Sequence, residues 1–129
     1  MKIIASCPHF YISNLIASVR FYVNVLGFEE PKLWGDPPGF AMPQRDGFTV
    51  MLNQIEERPP TPNGNQEYDW DAYFWVDEIE QFYDEIKDRC DIVYGPTPKP
   101  YYGMLEMALR DPDGYLLVFA AELKSSHPD

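Results

Sequence analysis

Bases are scarce in this chain. Ten lysines and arginines stand against 21 aspartates and glutamates in 129 residues, a formal net charge of −11. A phosphate backbone is gripped through lysine and arginine, so the imbalance argues against a nucleic-acid partner and makes a cationic or neutral ligand easier to accommodate. Cysteine is also sparse. Cys7 and Cys90 would fit one bridge, but the composition is that of a reduced cytoplasmic protein rather than a disulfide scaffold, and both thiols are expected to be free. No apolar run approaches the roughly 20 residues that span a bilayer. MKIIASCPHF, with one lysine and a short apolar run, does not resemble a signal peptide. The expectation is one cytoplasmic domain, large enough for a real core and independent of membranes.

What the chain does have is a turn feeding an apolar strand, RDPDGYLLVF from Arg110 to Phe119. Asp111-Pro112-Asp113-Gly114 combines a preset proline dihedral, a carboxylate that bonds its own backbone, and a glycine free to take positive φ. The flanking GMLEMALR and YLLVFAAE are apolar enough to pair as a hairpin. RDGFTVML, at 45–52, is a shorter version of the same pattern 67 residues earlier, with Met51 matching Val118.

The rest of the chain repeats as well. Residues 8–13 form a half-buried strand, and Asn14 then caps a helix with Leu15, Val19, Tyr22, Val23 and Leu26 on one face. Gly27 stops that helix. Residues 28–33 are expected to be a strand, and residues 44–53 contain the first hairpin strand. Residues 71–76 open a second unit, with Asp77 in the role of Asn14 and Ile79, Phe82, Tyr83 and Ile86 as the inward stripe. A short strand at 91–94 and a loop at 95–103 precede the closing hairpin. The chain therefore divides into module one (about 1–53), a proline-rich linker (54–69), module two (about 70–123) and a polar tail (124–129). The fold class is α+β: two βαβββ modules whose curled mixed sheets enclose a cup.

FYISNLIASVRFYVNVLGF resembles the first-unit signature of the vicinal oxygen chelate superfamily, the glyoxalase and bleomycin-resistance proteins, and GMLEMALRDPDGYLLVF is similar to the closing signature of its bleomycin-resistance branch. The resemblance covers nearly the whole chain. It implies paired βαβββ units and a homodimer with pockets near or across the subunit boundary. In the metalloenzymes of the family, four side chains, one from the first and one from the last strand of each unit, hold a divalent cation. Carried over by counting, those positions are Cys7, Met51, Asp71 and Val118. Hard cations need oxygen or imidazole donors, and Met51 and Val118 supply neither.

His9 shares a strand face with Cys7, so a displaced metal site of His9 with Asp71 or Glu106 is the alternative reading. It would make the protein a metal-dependent glyoxalase- or dioxygenase-like enzyme. Cys7 and His9 do not make a nucleophile and base, because alternate residues of one strand lie roughly 7 Å apart. The remaining candidates are aromatic: Trp34, Phe40, Trp70, Tyr73, Trp75, Tyr101 and Tyr102, with Met42, Met51 and Met104 nearby. Such rings suit flat or cationic ligands. The reading is a protein of the bleomycin-resistance type that sequesters an aromatic or cationic, antibiotic-like small molecule, without cofactor, catalytic residue or metal. Its ligand-binding residues are His9, Trp34, Phe40, Met51, Asp71, Tyr73, Trp75, Tyr101, Tyr102, Met104, Glu106 and Val118.

Overall fold

The computed structural model describes residues 1–124, so the end of the polar tail, His127 included, lies outside the described residues. The first unit runs β1 (His9–Tyr11), α1 (Leu15–Asn24), β2 (Leu33–Trp34), β3 (Phe40–Ala41), β4 (Gln44–Arg45), β5 (Phe48–Thr49) and β6 (Met51–Asn53). The second runs β7 (Ala72–Trp75), α2 (Ile79–Ile86), β8 (Asp91–Lys99), β9 (Met104–Arg110) and β10 (Leu116–Glu122). Their sheets have the orders β1-β6-β3-β2 and β7-β10-β9-β8, with β4 and β5 pairing apart as a short ribbon. In both units the strand before the helix lies parallel to the last strand, β1 on β6 and β7 on β10. This is an α+β fold of two repeated modules with mixed sheets. No helix among the described residues is long and apolar enough to cross a membrane.

Local chemistry explains where the elements begin and end. The Asn14 side chain accepts a hydrogen bond from the Ala17 N–H at 3.0 Å, and Gly27 leaves the helix region at φ 77°. That cap answers one of the donors a helix start leaves free. The second helix differs from expectation. Asp77 spends its carboxylate on the Glu78 N–H at 2.7 Å, and Glu78 takes the cap position without a side-chain bond to the helix. Residues 28–32 are not a strand either. Glu29 donates to the Gln44 carbonyl at 2.8 Å, but Pro31 lacks a donor, and regular pairing begins only at Leu33. Conversely, β8 continues through Pro96 and Pro98 to Lys99, where a loop was expected. It is an edge strand with irregular register, a position that tolerates proline.

Strand alternation sorts the two faces of each sheet. Phe10, Ala41 and Leu52 turn inward with Leu15, Val19 and Tyr22 of α1, while Met107, Leu109, Leu117 and Phe119 turn inward with Ile79 and Ile86 of α2. One buried cluster spans both modules. Each large side chain removed from water there contributes about 2 kcal/mol.

The junction between the modules is the Asp111–Gly114 turn. The Phe10 and Tyr115 rings stack at 4.2 Å, and the Tyr115 hydroxyl donates to the Tyr11 carbonyl at 2.5 Å. Asp111, only 5% exposed, accepts from the Tyr22 hydroxyl (2.9 Å) and from the backbone N–H groups of Asp113 (2.9 Å) and Tyr115 (3.0 Å). Asp113 in turn accepts from the Ser13 hydroxyl at 2.6 Å. The proline-rich segment between the modules is fastened along its length: Thr61 N–H donates to the Tyr115 hydroxyl, and Arg110 to the Gly64 carbonyl.

Burial pushes the Asp111 carboxyl up to about 6, against three hydrogen bonds that pull it down, with the Asp113 charge adding to the rise. A carboxyl raised on folding binds its proton more tightly in the native state, so its contribution to stability is fullest below the ordinary carboxylate range and declines as pH rises to about 6. A change of about two in pKa corresponds to about 3 kcal/mol. Asp111→Asn cannot titrate, and its stability relative to the parent is expected to increase by about that amount between pH 4 and pH 7. Urea unfolding at both values measures the difference, and an unchanged difference would refute the assignment.

Candidate functional site

The faces turned away from the helices carry the polar and aromatic chemistry. On module one, alternation places His9 and Tyr11 opposite to the buried Phe10. Register sets His9 across from Met51, Tyr11 across from Asn53, Asn53 across from Phe40, and Phe40 across from Trp34. His9 Nε2 lies 3.2 Å from the Asn53 amide nitrogen, and its ring meets Tyr11 edge-on at 4.9 Å. Lys32 Nζ stands 4.0 Å from the Trp34 ring centroid. His9, Trp34, Phe40 and Met51 therefore share one open face.

The open face of module two is built around Glu106. The register pairs Val118 with Tyr73 and Ala108, and Ala120 with Trp75 and Glu106, so all six side chains lie on one side of the sheet. Met107, which sits between Glu106 and Ala108, goes into the core. Glu106 is only 1% exposed. A carboxylate so deprived of water needs donors, and three phenols supply them. Tyr73 donates to Oε1 at 3.0 Å, Tyr102 to Oε1 at 2.8 Å and Tyr94 to Oε2 at 2.5 Å. The Tyr73 hydroxyl is pushed up to about 12, first by burial and then by its bond to Glu106; Tyr94 and Tyr102 are raised for the same reasons in the same order. Trp70 and Trp75 extend the aromatic surface, with centroids 4.8 and 5.1 Å from the Tyr73 ring.

Two expected site residues, Asp71 and Tyr101, are not bonded to Glu106, although the Tyr101 ring meets that of Tyr102 edge-on at 5.4 Å. Both Asp71 oxygens are held by backbone donors, Asn63 N–H and Leu116 N–H, each at 2.8 Å, so this carboxylate fastens the linker to the start of β10. Tyr101 is 81% exposed, and its hydroxyl is 2.7 Å from that of Tyr68. Tyr94 was not foreseen. Its only signal was a tyrosine in a short strand, and the register irregularities on either side of it break the alternation that would have revealed its face.

The four corner positions fall differently from the count along the sequence. Opposite Met51 is His9 rather than Cys7, and opposite Val118 is Tyr73 rather than Asp71. One imidazole, one thioether, one phenol already bonded to Glu106 and one isopropyl group do not make a donor set for a divalent cation. Among the described residues, no three His, Cys, Asp or Glu side chains come together as a metal site.

Two cavities border this region. One of about 540 Å³ lies against the open face and is lined by Trp75, Tyr102, Met104, Ala120 and Glu122. Another, of about 730 Å³, lies on the helix side, between the β4–β5 ribbon and α2, with Phe28, Phe74, Phe82 and Phe119 in its lining. Arg45 there is committed to the Leu26 carbonyl at 2.7 Å. Neither cavity is lined by the buried polar side chains Ser18, Glu106 and Asp111; the larger has Arg45, Asp46, Asp77, Glu78, Gln81 and Glu85 in its lining, and the smaller has Tyr102, which is bonded to Glu106. The convergence of three phenols on one buried carboxylate makes the open face the candidate site.

This doubled unit, with an equivalent parallel strand pair in each sheet, matches the family model described as the Glyoxalase/Bleomycin resistance protein/Dioxygenase superfamily over residues 6–119, and the chain belongs to that superfamily. Solved structures show the same fold. A superfamily member from Sphaerobacter thermophilus aligns with TM-score 0.73 at 22% identity, covering 95% of this chain and 99% of its own. TioX from Micromonospora sp. ML1 aligns with TM-score 0.71 at 22% identity, covering 92% and 98%. No protein of curated function matches the chain.

Removing the carboxylate tests its grip on the phenols. Glu106→Ala leaves three donors without their acceptor and is expected to lower stability by about 3 kcal/mol, whereas Glu106→Gln, which keeps one acceptor oxygen, costs about 1 kcal/mol. Equal urea midpoints for the parent and the alanine variant would show that the cluster holds nothing together.

Proposed function

We propose that this protein binds and sequesters an aromatic or cationic small molecule in the manner of the bleomycin-resistance branch, as a homodimer and with no catalytic metal. The observation that carries the reading is the open face of module two: aromatic rings surround a buried carboxylate whose negative charge is satisfied by phenols alone. The net charge of −11 adds attraction for a cation. Trp75 is 75% exposed and Trp34 is 49% exposed on the two open faces. The enzymatic alternative built on His9 gains no support from Asp71 or Glu106, whose oxygens are already engaged.

Thermal unfolding with a planar aromatic cation, ethidium, tests the reading, because a ligand that binds only the native state raises the melting temperature. We expect a rise that increases with ethidium concentration and is larger than that produced by an aromatic sulfonate at the same concentration. Dialysis against EDTA should change neither the melting temperature nor the ethidium response. Stoichiometric manganese, iron, nickel or zinc surviving dialysis, by elemental analysis, would overturn the reading in favour of a metalloenzyme.

A further inference from the structure

Hydrogen-bond direction at the Glu106 cluster narrows the ligand. An ionised carboxylate only accepts, and a phenol has one proton to give. Tyr73, Tyr94 and Tyr102 all direct that proton to Glu106. Each phenol oxygen is left with lone pairs and nothing to donate. To offer its proton to a ligand, a phenol would have to abandon a charge-assisted bond, the strongest kind available to it. The hydroxyls of all three are raised, first by burial and then by the bond to Glu106, so each holds its proton as the pH rises.

Tyr102 also lines the cavity of about 540 Å³, with Glu122 at its edge and Trp75 and Met104 along its wall. The lining thus combines polar groups, Tyr102 and Glu122, with the apolar side chains of Trp75 and Met104. The chain's own cation, Lys99, already lies in this field, with Nζ 5.2 Å from the centroid of the Tyr94 ring.

We propose that this cavity is the ammonium subsite of the ligand pocket, selecting aromatic amines that retain at least one N–H and discriminating against quaternary ammonium and acceptor-only molecules. The N–H points to the Tyr102 oxygen, the charge is answered by Glu122 and the buried Glu106, and the aromatic body lies against Trp75 and Met104. Cation–π attraction alone makes no such distinction, since a ring face attracts a quaternary ammonium as readily as a primary one. The subsite rests on the sequestration reading of the open face and adds to it a requirement for a donor.

Three probes of one shape separate the possibilities: 2-naphthylmethylammonium, its N,N,N-trimethyl analogue, and the neutral methyl ether 2-(methoxymethyl)naphthalene, each titrated by calorimetry against the full chain. The primary ammonium is expected to bind at least 10-fold more tightly than the trimethyl analogue, and the ether to bind more weakly than either. Tyr102→Phe should weaken the primary ammonium about 10-fold while leaving the trimethyl analogue within about 2-fold, so that the preference disappears. Glu106→Gln, whose amide donates to at least one phenol and frees its proton, should also reduce the preference. Equal binding of the two cations to the parent protein would remove the donor requirement and leave sequestration standing. Binding of neither would bring down both. Persistence of the preference in the Tyr102→Phe protein would show that the N–H is read elsewhere and overturn the assignment of this subsite.

Discussion

A carboxylate taken out of water has to be given protons by something else, and the way Glu106 meets that demand fixes much of module two. Three tyrosines from β7, β8 and the turn before β9 reach one side chain on β9. They tie the edge strand, the hairpin and the parallel strand of one sheet to a common point. An unanswered buried charge would be severely destabilising, so the rings have little freedom to lie anywhere else. The aromatic surface is therefore a consequence of satisfying the charge, and its hydroxyl polarity follows from the same demand.

In neither sheet do the residues facing each other across the parallel pair assemble a donor set for a divalent cation. In a parallel pair, register decides which two side chains face each other. Here those pairs are His9 with Met51 and Tyr73 with Val118. One phenol among those four is drawn into the Glu106 network and two of the others have no oxygen or nitrogen to offer. Tyr73 thus belongs both to the parallel pair with Val118 and to the hydrogen-bonded cluster around Glu106.

Much of this was legible in the residues. The capping asparagine, the stopping glycine and the Asp111–Gly114 turn are local signals, and the structure places each where its chemistry requires. The doubling of the pattern gave the two modules, and alternation alone separated Glu106 from Met107. What escaped was set by contacts between strands. Counting back from a helix cap reached Cys7 and Asp71, whereas the register sets His9 and Tyr73, each two residues later, opposite Met51 and Val118, because the length of the connection into a helix is not fixed by the cap. Tyr94 escaped because its strand is irregular on both sides. Asp71 carried the composition of a ligand-facing acid, yet two backbone donors from distant residues claim it, and nothing in its neighbours announces them.

The two large buried acids make an instructive pair, since the hydrogen bonds around them differ in kind. Asp111 is held mostly by backbone N–H groups within its own turn, with one phenol from the other module, so its role is to lock the turn against α1. Among the described residues, Glu106 takes no backbone donor and relies on side chains, which come from elements that the backbone alone would not bring together. A carboxylate needed only for the fold is more economically satisfied by the nearest amides, as Asp111 largely is. Recruiting three tyrosines at an open face stabilises the same charge with side chains, one of which, Tyr102, also lines the neighbouring cavity with Trp75. That contrast, between a charge answered by the chain's own amides and one answered by groups a ligand can also touch, is the physical ground for placing the site at Glu106 and the joint at Asp111.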